Sequence, residues 1–158
     1  MDVQSVADVQ SPPFITRERH IGPNLGIVAA ISVVLFLTGL AFVTVFVTNP
    51  SFPSPDAAPN AIVTYFLIRP WQVRISAFLS FGAIVALGAF VAGTVGRLRF
   101  LGVRSTWVDI ALFAGLATAF DQAGSHLCEW ALTWPGITQS APPTLVIYYL
   151  LYAFGGPG

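Results

Sequence analysis

Apolar positions in this chain come in long unbroken runs separated by short polar, Pro-rich or Arg-bearing stretches. Neither the alternation of a half-buried strand nor the narrow stripe of a soluble helix describes them. The first run, about 24–48, carries no charge and as a helix exceeds the roughly 30 Å of a bilayer's hydrocarbon. Pro23 suits its first turn and Asn49-Pro50 its end. A Pro- and Ser-rich loop follows, then a brief apolar stretch, about 57–68, closed by Arg69-Pro70-Trp71. It is too short to cross and predicts a helix lying at the interface. A second crossing is predicted over about 72–97 and a third over about 106–134. The last run, about 143–154, spans only half a membrane before Gly155-Gly156-Pro157-Gly158. A chain terminus inside hydrocarbon is costly, so the chain is expected to be a fragment that continues past Gly158. The competing expectation is a re-entrant or surface helix with a solvated glycine end. Residues 1–13 are polar, aperiodic and end in Pro-Pro, predicting a disordered tail ahead of a membrane helical domain over 14–158.

The expected fold is therefore all-α, a transmembrane helical bundle with three full crossings and a partial fourth. Composition agrees: 55% of residues are hydrophobic and 9% charged, and the mean hydropathy is +0.75, far from a soluble domain. Arg97, Arg99 and Arg104 crowd the loop between the second and third crossings. By the positive-inside tendency this loop is cytoplasmic, and so is the N-terminus, near which Arg17 and Arg19 lie. The expected location is the inner (plasma) membrane, multi-pass. Trp71, Trp107, Trp130 and Trp134 fall at predicted helix ends, where aromatic belts sit. The basic residues are seven Arg with no Lys, balanced by seven acids to zero net charge. This excludes a basic nucleic-acid surface. A single cysteine, Cys128, excludes an internal disulfide and reads as a small buried hydrophobe.

Chemistry concentrates on the third crossing, where Asp121, Gln122, Ser125, His126 and Glu129 interrupt an apolar run. At 100° per residue they share an arc of about 140°. Phe113, Leu116, Phe120 and Leu127 occupy the other side. Ionisable groups at membrane depth normally face a bundle, a cavity or a partner, so all five are expected to turn away from lipid. Asp121 lies nearest mid-membrane and is expected either to hold the bundle together by hydrogen bonds or to serve a proton or ion path. Glu129 is expected to pair with Arg74, or with Arg69, at the end of the neighbouring helix. Asp109 reads as a helix-start charge. His126 and Glu129 are one turn apart, but no second His- or Cys-rich segment completes a metal set. Neither a metal nor a cofactor is expected. No nucleophile elbow or phosphate-binding glycine loop is present, and no catalytic residue is assigned.

Gly82, Ala86, Ala89, Gly93 and Gly96 place small residues along one face of the second crossing. The third crossing is expected to dock there through Ala111, Gly115, Thr118, Gln122 and Ser125. The Arg97–Arg104 loop, the Ala119–His126 helix segment and the Tyr148–Gly158 ending resemble a family of small bacterial polytopic inner-membrane proteins of unknown function. That resemblance implies a helical bundle with further crossings and carries no catalytic residues. The function expected is a structural or partner-binding membrane bundle with a polar intramembrane face, its partners the lipid bilayer and further helices. A proton-linked transporter or channel component using Asp121 is the alternative, and a membrane-embedded metal enzyme the third reading.

Overall fold

The computed structural model describes residues 22–47 and 49–155. The tail expected over 1–13, with Arg17, Arg19 and His20, lies outside the described residues, as do 156–158. All regular structure among the described residues is helical: α1 (Leu25–Thr44), α2 (Pro59–Ile68), α3 (Pro70–Phe100), α4 (Thr106–Ala131), α5 (Pro135–Thr138) and α6 (Ala141–Gly155).

Local chemistry sets the boundaries. Asn24 caps α1, its side-chain oxygen accepting from the Gly26 and Ile27 amides at 3.0 and 3.4 Å. Pro59, Pro70 and Pro135 occupy first helical positions, where a missing N–H costs nothing. Pro70 also separates α2 from α3, leaving Arg69 as a one-residue corner. At the other end of α3 the chain closes in a Schellman turn. Gly102 takes φ 84°, its amide bonds the Arg99 carbonyl at 3.0 Å, and the Val103 amide bonds Leu98 at 3.1 Å. Ser105 then caps α4, and Arg99 reaches across to Asp109 in its first turn.

Of these helices, α1 and α3 are each long and apolar enough to cross a membrane, and few of the residues in their apolar stretches are buried. Three acids interrupt α4, and α6 has 15 residues. The long helices pack as an antiparallel series, α1 on α3, α3 on α4 and α4 on α6. Close approaches need glycine. A Cβ at Gly39 would lie 2.6 Å from Ser80 Oγ and 3.1 Å from the Ser76 carbonyl oxygen, so α1 and α3 touch backbone to backbone there. Ser32 donates to the Ala83 carbonyl at 2.8 Å along the same contact.

The expected docking of the third crossing on the small-residue seam is corrected. Gly82 faces Leu35 and Gly93 faces Leu25, both on α1. Gly96 has open space, Ala89 is exposed and Ala86 half-buried. α4 meets a different face of α3, its Gly115 receiving Val91. Both contacts set a glycine on one helix against a branched side chain on the other. A row of small residues marks a seam without naming the helix that fills it.

The densest packing lies at the α2 end. Ile62, Tyr65 and Phe66 of α2 are buried with Val73, Leu132, Tyr148 and Leu151. Phe52 from the preceding loop packs edge-on against Tyr65 and Phe66, ring centroids 5.3 and 6.0 Å away. Tyr148 and Tyr152 both donate to the Pro53 carbonyl at 2.9 Å. α2 thus lies across the end of the bundle as a lid.

Candidate functional site

Helices α1 and α6 make no extensive contact with each other. Between them lies a cleft of about 280 Å³, floored by α3 and α4 and roofed by Phe52. Its apolar walls include Phe36, Leu40 and Val43 of α1 and Leu151 and Tyr152 of α6. Its polar lining includes Thr44 of α1, Ser76 and Ser80 of α3, and Gln122, Ser125, His126 and Glu129 of α4. Four of the five polar residues singled out in the sequence therefore gather at one place.

The fifth does not. Asp121 is exposed and makes no hydrogen bond or ion pair among the described residues. The expectation that all five turn inward is corrected on geometry: α6 meets α4 through Gly124, Ser125 and Gln122, and its last helical residue, Gly155, is level with Gln122. Asp121 lies where that helix ends and is left uncovered.

Within the cleft each α4 side chain has a distinct role. Ser125 Oγ donates to the Leu151 carbonyl at 2.9 Å, and Gln122 Nε2 to the Gly155 carbonyl at 3.4 Å. Both tie α4 to the last turns of α6, and the Gly155 carbonyl is one that the helix end leaves free. Gly155 comes close enough that a Cβ there would lie 2.9 Å from Ser125 Oγ. Glu129 is 5% exposed, and its Oε2 lies 3.0 Å from His126 Nδ1. The expected Glu129–Arg74 pair is not formed. Arg74 Nε and Nη2 instead donate to the Thr133 hydroxyl and carbonyl at 3.2 and 3.3 Å, and Arg69 reaches the Asn49 carbonyl at 2.8 Å. Thr133, just past α4, intercepts the arginine, while the turn from His126 to Glu129 supplies a nearer partner.

His126 Nε2 is buried without a hydrogen-bond partner. The one hydrogen bond of the ring among the described residues is therefore the one between Nδ1 and Glu129. Among the described residues no Arg pairs with Glu129. Its charge is felt in α2, outside the long helices. The Tyr65 hydroxyl is pushed up to about 12, first by burial and then by Glu129, with Arg69 opposing.

Ser76 and Ser80 were not singled out by sequence reasoning. They are 3% and 2% exposed, yet their hydroxyls make no hydrogen bond among the described residues. The available signal was their spacing of one turn within an apolar run, which sets both on one side of α3. Among the described residues no three His, Cys, Asp or Glu side chains form a metal set. A separate recess of about 430 Å³ beside the α3–α4 loop is lined by Arg99, Arg104 and Asp109, with Arg99 already engaged by Asp109. Comparison with protein-family models, with curated proteins and with solved structures finds no match.

Proposed function

We propose that the protein is a multi-pass subunit of the bacterial inner membrane that binds a further transmembrane helix along the Asp121 face of α4. Large apolar side chains cover the outside of the helices, among them Ile27, Val34 and Leu37 of α1, Phe78 and Val85 of α3, and Phe113 and Phe120 of α4. Hydroxyls, His126 and Glu129 lie between the helices. This distribution suits lipid as solvent. In that setting α4 completes a third crossing and α6 enters from the same side as α2. The Arg97, Arg99 and Arg104 loop lies in the cytoplasm with the N-terminus.

Asp121 is the observation that carries the reading. A carboxylate on an otherwise apolar outer face is expensive against acyl chains and inexpensive against a polar group on another helix. Ala114, Ala117 and Thr118, all exposed, flank it on the same side and permit close approach. The test is site-specific photocrosslinking in native membranes. Benzoylphenylalanine in place of Ala114 is expected to give a discrete adduct that Asp121→Leu removes; in place of Leu116, on the far side, it gives none. Equal adducts from both positions, or none from either, would reject the reading.

A proton-linked transporter or channel component is the second reading, favoured by the buried His126–Glu129 pair and not by Asp121. It predicts a pH-dependent flux lost in Glu129→Gln and retained in Asp121→Asn.

A further inference from the structure

We propose that the cleft between α1 and α6 binds the protonated form of a small organic amine with an apolar body, its ammonium group held by Glu129. Three independent features of the lining point to that class of ligand.

Charge comes first. Glu129 is the one acid in the lining, no Arg or Lys accompanies it, and His126 is hydrogen-bonded to it. A carboxylate whose side chain is 7% exposed, in apolar surroundings, is far more stable with a cation beside it. Arg74 and Arg69 are the nearby cations, and both are turned to other acceptors.

Unspent hydrogen-bonding capacity comes second. Ser76 and Ser80, both buried, line the same cleft, and their hydroxyls have no hydrogen-bond partner among the described residues, Ser80 Oγ lying toward Gly39 of α1. An ammonium group carries three N–H donors. The carboxylate and these two hydroxyl oxygens are acceptors of the matching kind.

Shape and wall chemistry come third. About 280 Å³ is the volume of roughly nine waters, too large for a bare ion. Most of the wall is apolar, including Phe36, Phe52 and Tyr152. These rings accept the hydrocarbon body of an amine and stabilise its charge through their faces. A metal ion would leave these walls unfilled. An acyl chain would leave Glu129 and the serines unanswered.

The experiment is calorimetric titration of the full chain in lipid nanodiscs with 2-phenylethylammonium, and with neutral 2-phenylethanol as the isostere. Saturable binding is expected, with the ammonium preferred about tenfold, a factor worth about 1.4 kcal/mol. In Glu129→Gln the preference vanishes while the alcohol binds as before. Leu40→Trp, which sets a larger side chain at the α1 wall of the cleft, abolishes binding of both. Circular dichroism establishes that each variant is helical. Three results would overturn the proposal: no binding beyond that of empty nanodiscs, equal binding of ammonium and alcohol, or ammonium binding that survives Leu40→Trp. The last two variants decide separately, so a Glu129→Gln chain that fails to fold leaves Leu40→Trp as the arbiter. The outcome does not depend on the crosslinking at Asp121, which concerns another face of α4.

Discussion

Asp121 and Glu129 are the same chemistry on the same helix, eight residues apart, in opposite circumstances. Glu129 is buried, bonded to His126 and surrounded by four helices. Asp121 is exposed, flanked by small residues and without a partner among the described residues. An offset of about 80° around the helix axis separates the two. The difference teaches that a polar arc on one helix can be divided, one part covered by its own bundle and the other left open.

The comparison breaks most severely at Gly39. Gly39→Leu drives a side chain into Ser80 and the Ser76 backbone, prising α1 from α3 at a cost of about 3 kcal/mol. Thermal unfolding in detergent should fall accordingly and cleft binding should be lost, while the Ala114 adduct remains. Gly88→Leu, with open space around it, is the control that leaves unfolding unchanged.

Truncating each carboxylate tests the pair directly. Glu129→Ala strands His126 Nδ1 without its partner, a loss of about 2 kcal/mol. Asp121→Ala should lie within about 0.5 kcal/mol of the parent in the isolated chain, its effect confined to the crosslink. Equal losses would mean that the two sites are alike. Ser125→Ala removes one bond from α4 to α6 and should cost about 0.6 kcal/mol, whereas exposed Thr118, bonded within its own helix, should cost less.

The smallest effect concerns Tyr65 and pH. Its folded-state value near 12 exceeds the usual 10, so the folded chain holds that proton more tightly than the unfolded one. The stabilisation is fully present below pH 10 and fades as pH rises toward 12. Tyr65→Phe, which also removes a buried hydroxyl that lacks a partner, should show a shallower fall in unfolding temperature over that interval.

Much of the helical layout was readable in the residues. The uncharged runs and the Pro- and Arg-bearing breaks between them act locally, and local chemistry needs no knowledge of neighbours, although Pro23, expected in the first turn of α1, precedes the Asn24 cap. The polar arc of α4 was readable for the same reason. Which part of the arc is covered was not, because the helix wheel gives angles and the neighbours decide coverage. Arg74 illustrates the point: charge alone matches it with Glu129, yet Thr133 lies in the way and His126 lies nearer. The seam on α3 failed similarly, since Gly82 and Gly93 suit any close neighbour and α1 was the one that filled them. The burial of α2 was hidden too. Its ten residues look interfacial until Phe52 folds back from the preceding loop and Tyr148 is brought against them from α6.

The carbonyl of Pro53 accepts two phenols, from Tyr148 and Tyr152, which uses both of its lone pairs. A protease must draw substrate backbone into extended register, and here that would mean breaking two bonds at one atom and pulling Phe52 from its aromatic socket. Between these two connections, cleavage should therefore come first at the Gly102 turn, leaving the Pro-rich one whole despite its loop-like composition.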